Sequence, residues 1–157
     1  MRKTGLARVQ SSDLARARET GEIVAARLGA PFAGVDARLR ERSFGLFEGL
    51  TRDECEAHHP DHWRRYLDDP EILPPGAEMR ASVAARMLEG VDAIARAGDG
   101  PVLVVSHGSA IRALVAAVTG SLCPPIENGA VFRIVVDRHR DTGELSSRFV
   151  SAEKLPP

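Results

Sequence analysis

Several protein classes are excluded by what this chain has little of. Only two of its 157 residues are cysteine, Cys55 and Cys123, far apart and in no CxxC pattern. That excludes a disulfide scaffold and fits a reducing compartment. No apolar stretch approaches the roughly 18 residues that span a bilayer, and the basic start Met1-Arg2-Lys3 leads into no apolar signal segment. A soluble, cytoplasmic protein is expected. Net charge is also scarce: 21 Lys plus Arg stand against 22 Asp plus Glu, leaving −1. A balance that close gives no support for a nucleic-acid or membrane-surface partner. Arginine greatly outnumbers lysine, which reflects a GC-rich coding background before it reflects function. There is no internal repeat and no low-complexity segment. The length suits a single domain, residues 1–157, with a sizeable core.

The most informative stretch that is present runs from Pro101 to Leu114, PVLVVSHGSAIRAL. Val102 to Val105 form a short unbroken apolar run, the pattern of a parallel strand buried on both faces. Ile111, Leu114, Val115 and Val118 then follow at helical spacing. His107 is thereby expected at the carboxyl end of a strand, in the crevice where open α/β sheets bind ligands. Gly108 permits close backbone approach, and the free N–H groups of the next helix can face an anion.

Upstream, residues 5–10 are half apolar, and Ser11-Ser12-Asp13 signals a helix start. Leu14, Ala17, Gly21, Val24 and Leu28 mark one helical face, closed by Gly29 and Pro31. A strand and turn are expected within Phe32 to Leu39, and an irregular loop from Arg40 to Thr51. Glu54 to Asp69 reads as a polar helix and Pro70 to Gly76 as a loop. Val83, Met87, Val91 and Ile94 predict a second amphipathic helix, stopped by Gly98 and Gly100. Val131 to Val136 and Leu145 to Val150 predict a hairpin about an Asp141-Thr142-Gly143 turn, with Lys154 to Pro157 as a tail. Strands alternating with helices imply an α/β layered sandwich: a mainly parallel sheet, helices on both faces and an antiparallel hairpin at one edge. The aromatic-bearing segment 40–78 is too long for a plain connection and is expected to be a lid.

Three sites carry chemistry: Arg16 in SSDLARARET, Glu41 with Arg42 ahead of FGLFEGLT, and His107 in SHG. An arginine, a carboxyl and a histidine at the carboxyl end of one sheet suit phosphoryl transfer. The guanidinium forks onto phosphate oxygens, a protonated imidazole adds charge-assisted bonds, and a carboxyl protonates the leaving oxygen. Competing readings are weaker. His58, His59 and His62 lack the Glu and third ligand of an HExxH zinc site. Cys55 has no evident partner as a nucleophile. Trp63 and Tyr66 read as packing groups, and Glu48, a rival acid, reads as a loop-capping carboxylate.

The segments SSDLARARET, LRERSFGLFEGLT, PPGAEM, VLVVSHGSAIRAL and NGAVFRIVV, in this order and at these intervals, resemble the histidine phosphatase superfamily, with its phosphoglycerate-mutase-like fold. The resemblance implies that Arg16 binds phosphate, Glu41 donates and accepts a proton, and His107 holds the phosphoryl group in transit. It also implies that Gly108 supports close approach and that Arg42 and Ser109 occupy neighbouring pocket positions. It implies a small phosphorylated metabolite or inorganic phosphate as ligand, and no metal or organic cofactor. The short lid fits the phosphatase branch better than the sugar-phosphate mutases. One departure is large. The family's nucleophile lies in an Arg-His-Gly triplet ending its first strand, and that triplet is absent from this sequence. The resemblance thus implies that the first strand and helix are missing, and that phosphohistidine-dependent hydrolysis is impaired. A misassigned start codon is favoured as the reason, over a remnant gene or a short binding form completed by another chain. A non-catalytic phosphate-binding protein and a phosphoglycerate-mutase-type isomerase are the alternative functions. An open sheet edge would also permit a homodimer.

Overall fold

The computed structural model describes residues 5–69, 72–98, 100–141 and 144–156. Several expectations lie outside them: the basic start at residues 1–4, residues 70 and 71 of the expected loop, residues 142 and 143 of the hairpin turn, and residue 157 of the tail. The chain divides into two compact units, Met1–Glu41 with Ala84–Pro157, and Arg42–Val83.

In the first unit, β1 (Arg8–Ser12) lies between β2 (Phe32–Asp36) and β3 (Val102–Val105), all parallel. Helix α1 (Ala15–Leu28) links β1 to β2. Its buried positions Ala17, Gly21 and Ala25 are all small, and that lets it lie close on the sheet. A Cβ at Gly21 would come within 3.0 Å of the Phe32 ring and 3.1 Å of Ser11 Cβ. Gly29, at φ 64°, ends the helix in the left-handed conformation that glycine adopts without strain. Helix α5 (Gly108–Thr119) follows β3 and buries Ala110, Leu114 and Val115. Strands β4 (Phe132–Asp141) and β5 (Glu144–Lys154) pair antiparallel, and α5 packs on β5. The α/β class expected from the element order is therefore the observed one.

Two features differ from the sequence reading. The hairpin forms a two-stranded sheet of its own, with longer strands than expected. And β3 is not buried on both faces: all four of its residues are half-buried, because among the described residues it pairs with β1 alone. An apolar strand cannot report from its own sequence how many neighbours it has.

The second unit is built around an aromatic cluster. Phe47 is buried, with Trp63 and Tyr66 edge-on to it at ring-centroid distances of 5.3 and 5.8 Å. The helix expected over Glu54 to Asp69 is two helices, α2 (Arg52–His58) and α3 (Pro60–Asp68). Thr51 and Glu54 make a reciprocal capping box at the start of α2. Pro60 has no N–H to donate and therefore starts a fresh helix instead of continuing the first. Within the expected 40–51 loop, Gly45–Phe47 makes a single 3₁₀ turn whose Leu46 N–H donates to Pro75 O at 3.1 Å. Helix α4 (Arg80–Arg96) begins in this unit and continues into the first. Among the described residues no helix is long and apolar enough to cross a membrane.

Gly45 tests this packing. Its φ is 56°, and a Cβ there would stand 2.2 Å from Pro75 O and 2.5 Å from Ala77 N. Gly49 shares the left-handed conformation, φ 76°, but a Cβ there meets nothing within 4 Å. Gly45→Ala is expected to destabilise the protein by about 2–4 kcal/mol and Gly49→Ala by about 1–2 kcal/mol, read from urea unfolding midpoints. Equal costs would disprove the close approach at Gly45.

Candidate active site

The parallel pairing of β1 with β3 sets the site. Its register puts Ser11 opposite Val105, so the residues just beyond, Ser12 on one strand and His107 after the other, emerge side by side at the carboxyl ends. His107 Nε2 and Ser12 Oγ lie 3.0 Å apart, both residues buried, and share one proton. Ser12 Oγ also accepts the N–H of Leu14 at 3.3 Å, which ties the start of α1 to the same point. Burial pushes the His107 ring below its ordinary value of 6.5, and the nearby Arg16 guanidinium pushes it the same way, as does Arg86 more weakly. Glu41 and Asp13 pull in the opposite direction.

A cavity of about 1000 Å³ in the first unit is lined by Arg16, Glu41, His107 and Gly108. Three segments widely separated in sequence therefore reach one space. Arg16 sits in the first turn of α1, exposed to solvent. His107 is the residue before α5. Glu41 ends the stretch that follows β2. All four residues of β3 line the same cavity, as do Ile134 and Val136 of β4.

The expectation that the first N–H groups of α5 stand free for an anion is corrected. Ser109 and Ala110 both donate to the Glu41 carboxylate, at 3.4 and 3.1 Å. The physical attraction is the one anticipated, between a helix N-terminus and negative charge, but a side chain of the protein supplies the anion. Sequence spacing could not foresee this, because the two partners lie 68 and 69 positions apart.

The other residues singled out in the sequence make contacts of their own. Ser109 contributes its backbone to Glu41 and does not line the cavity. Arg42 is buried in the second unit, where its Nε donates to Glu78 O at 2.8 Å and its guanidinium lies over the Phe44 ring at 5.6 Å. Glu48 accepts the N–H of Phe44 at 3.0 Å, a turn-capping contact within that unit. Trp63 and Tyr66 pack on Phe47 there. Among the described residues no group of three or more His, Cys, Asp or Glu could hold a metal ion.

Two neighbours went unnoticed in the sequence. Ser12 was legible only as part of a helix-start cluster, although it makes the direct contact to His107. Arg86 lies on α4, in a stretch read solely for its apolar face, and it donates to the backbone carbonyls of Arg38, Arg40 and Glu41 itself.

The chain is similar in sequence and fold to known proteins. A bifunctional protein of Mycobacterium tuberculosis is 39% identical over 146 residues, which cover 92% of this chain and 37% of that protein. The glucosyl-3-phosphoglycerate phosphatase of Mycolicibacterium vanbaalenii is 37% identical over 131 residues, 78% of this chain and 56% of that enzyme. The chain thus spans from just over a third to just over half the length of these relatives. Among solved structures, a mycobacterial glucosyl-3-phosphoglycerate phosphatase in complex with VO3 is 30% identical, with a TM-score of 0.67. The match covers 92% of this chain and 75% of that one. The model of the histidine phosphatase superfamily, branch 1, matches residues 1–143, and with these likenesses it shows that the chain belongs to that superfamily.

Proposed function

We propose that the part of this cavity lined by Arg16, Glu41 and His107 binds the phosphate of a small phosphomonoester, as the phosphate site of a phosphatase. The observation that carries this reading is that Arg16, Glu41 and His107 all line it. Arg16 supplies a planar, permanently charged fork for phosphate oxygens. His107, once protonated, adds a charge-assisted hydrogen bond from the opposite strand end. Glu41 is the acid that would protonate the leaving oxygen once an acceptor has taken the phosphoryl group. Relatives carry phosphatase and phosphoglycerate mutase names alike, and it is the short 40–78 segment that favours hydrolysis over isomerisation.

Transfer also needs an acceptor for the phosphoryl group. None of the five histidines in the sequence lies in an Arg-His-Gly triplet. His107 is a poor substitute, because it would have to leave the position from which it clamps the anion. These 157 residues are therefore read as supplying the phosphate-binding groups, with the phosphoryl acceptor not among their histidines.

Inorganic phosphate or vanadate is expected to bind the purified protein, measured by calorimetry. Arg16→Ala should weaken binding by roughly tenfold or more, since a hydrogen bond to a charged group contributes about 1.5–3 kcal/mol. Release of p-nitrophenol from p-nitrophenyl phosphate should remain at background. Absence of phosphate binding would remove the reading altogether, and robust turnover abolished by His107→Ala would overturn the part that excludes His107 as nucleophile.

The lowered titration of His107 has two further consequences. Without ligand the ring is neutral at pH 7, while a bound anion favours its charged form. Phosphate binding should therefore take up protons, seen as a binding enthalpy that varies with buffer ionisation and loses part of that variation in His107→Gln. The same shift means that folding favours the neutral ring. Its contribution to stability is complete above pH 6.5 and is lost as the pH falls through the depressed folded value. The melting temperature of His107→Gln should consequently fall less steeply than the parent's below pH 6.5. Parallel curves would rule this out.

A further inference from the structure

Glu41 reaches the cavity from a stretch with little regular structure. A single 3₁₀ turn, Ala37–Leu39, follows β2, and Arg40 and Glu41 come after it in extended conformation or without regular assignment. Backbone carbonyls in such a stretch need partners from outside it. Four consecutive ones find them. Arg86 Nη1 donates to Arg38 O at 2.8 Å and to Arg40 O at 2.7 Å, and its Nη2 donates to Glu41 O at 3.1 Å. Ser106 Oγ donates to the intervening Leu39 O at 2.8 Å, and the Leu39 side chain is fully buried. Farther out, the Glu41 carboxylate is received by Ser109 and Ala110 N–H. One end of residue 41 is thus held by α4 and the other by α5.

We propose that Arg86 is a positioning residue for Glu41: its guanidinium gathers the carbonyls of residues 38, 40 and 41 and so aims the carboxylate into the cavity beside His107. The proposal rests on the reading of Glu41 as the acid–base group, and it adds the part that decides where this group stands. The chemistry requires arginine. A planar guanidinium carries five N–H donors in a rigid fork and can serve several carbonyls from one place, whereas an ammonium on a flexible stem has three donors and no fixed plane. An error of about 1 Å in the seat of an acid–base group is enough to cost on the order of a hundredfold in rate. Arg86 also carries a positive charge close to His107, which Arg16, Glu41 and Asp13 face as well. A substitution that keeps the charge but loses the fork therefore separates geometry from electrostatics.

The test uses the full chain, with Arg86→Lys and Arg86→Gln compared to the parent and to Glu41→Gln. Amide resonances and hydrogen exchange of Ser109 and Ala110 report whether the Glu41 carboxylate is seated, with no ligand present. Exchange at Val9 and Leu114, in the core, reports whether the fold is intact. In Arg86→Lys, Ser109 and Ala110 are expected to shift toward their Glu41→Gln positions and to exchange roughly tenfold faster or more, while Val9 and Leu114 keep their protection. The His107 ring should titrate as in the parent in Arg86→Lys and at higher pH in Arg86→Gln. The phosphate Kd should rise in both. Unmoved Ser109 and Ala110 signals in a folded Arg86→Lys protein overturn the proposal. So does equal loss of protection at Val9 and Leu114 in both variants, which makes Arg86 a general support of the fold. A parent that binds no phosphate defeats the phosphate-site reading instead, while the amide signals still decide the role of Arg86.

Discussion

The site depends on the parallel register of β1 against β3. Because Ser11 stands opposite Val105, the two strands end together, and their next residues must share the same small volume. A 3.0 Å contact between Ser12 and a buried His107 is the result. A register moved by one residue would turn each side chain of β3 to the opposite face of the sheet, and neither residue would meet the other. The helices inherit this constraint. Ser12 also holds the start of α1, which carries Arg16, while His107 is the last residue before α5. One pairing thus aims two helix starts at one point.

Glu41 enters by a different principle. It belongs to no strand or helix, and this stretch is met by donors from elsewhere: a guanidinium on α4, a hydroxyl just after β3 and two N–H groups at the start of α5. Backbone carbonyls outside regular structure are costly when unmet, so these donors also account for how an irregular stretch keeps one conformation. The carboxylate in turn satisfies N–H groups that a helix leaves without partners in its first turn. The seat of the Glu41 carboxylate and backbone satisfaction are here served by the same contacts.

The cavity has a second character beyond the charged end. All of β3 lines it, together with apolar residues of α1, α4, α5 and β4. This is why Val102 to Val105, the most hydrophobic strand in the chain, is only half-buried. Among the described residues β3 pairs along one edge, with β1, and its residues line this cavity together with those of β4.

Much was determined by the sequence itself, wherever the cause lies within a few residues. The glycine stop of α1, the apolar face of α4, the α/β alternation and the glycine after His107 all follow from local spacing. Arg16, Glu41 and His107 stood out only when three distant segments were taken together with the family resemblance. The break at Pro60 was equally local and was missed only because the polar pattern runs across it. Tertiary structure decided the rest. Whether β3 has one neighbour or two, which anion occupies the start of α5, and that Ser12 and Arg86 serve the site are not written near those residues. Each depends on partners 45 to 95 positions away, and hydrogen bonds across such distances exist only once the strands have chosen their register.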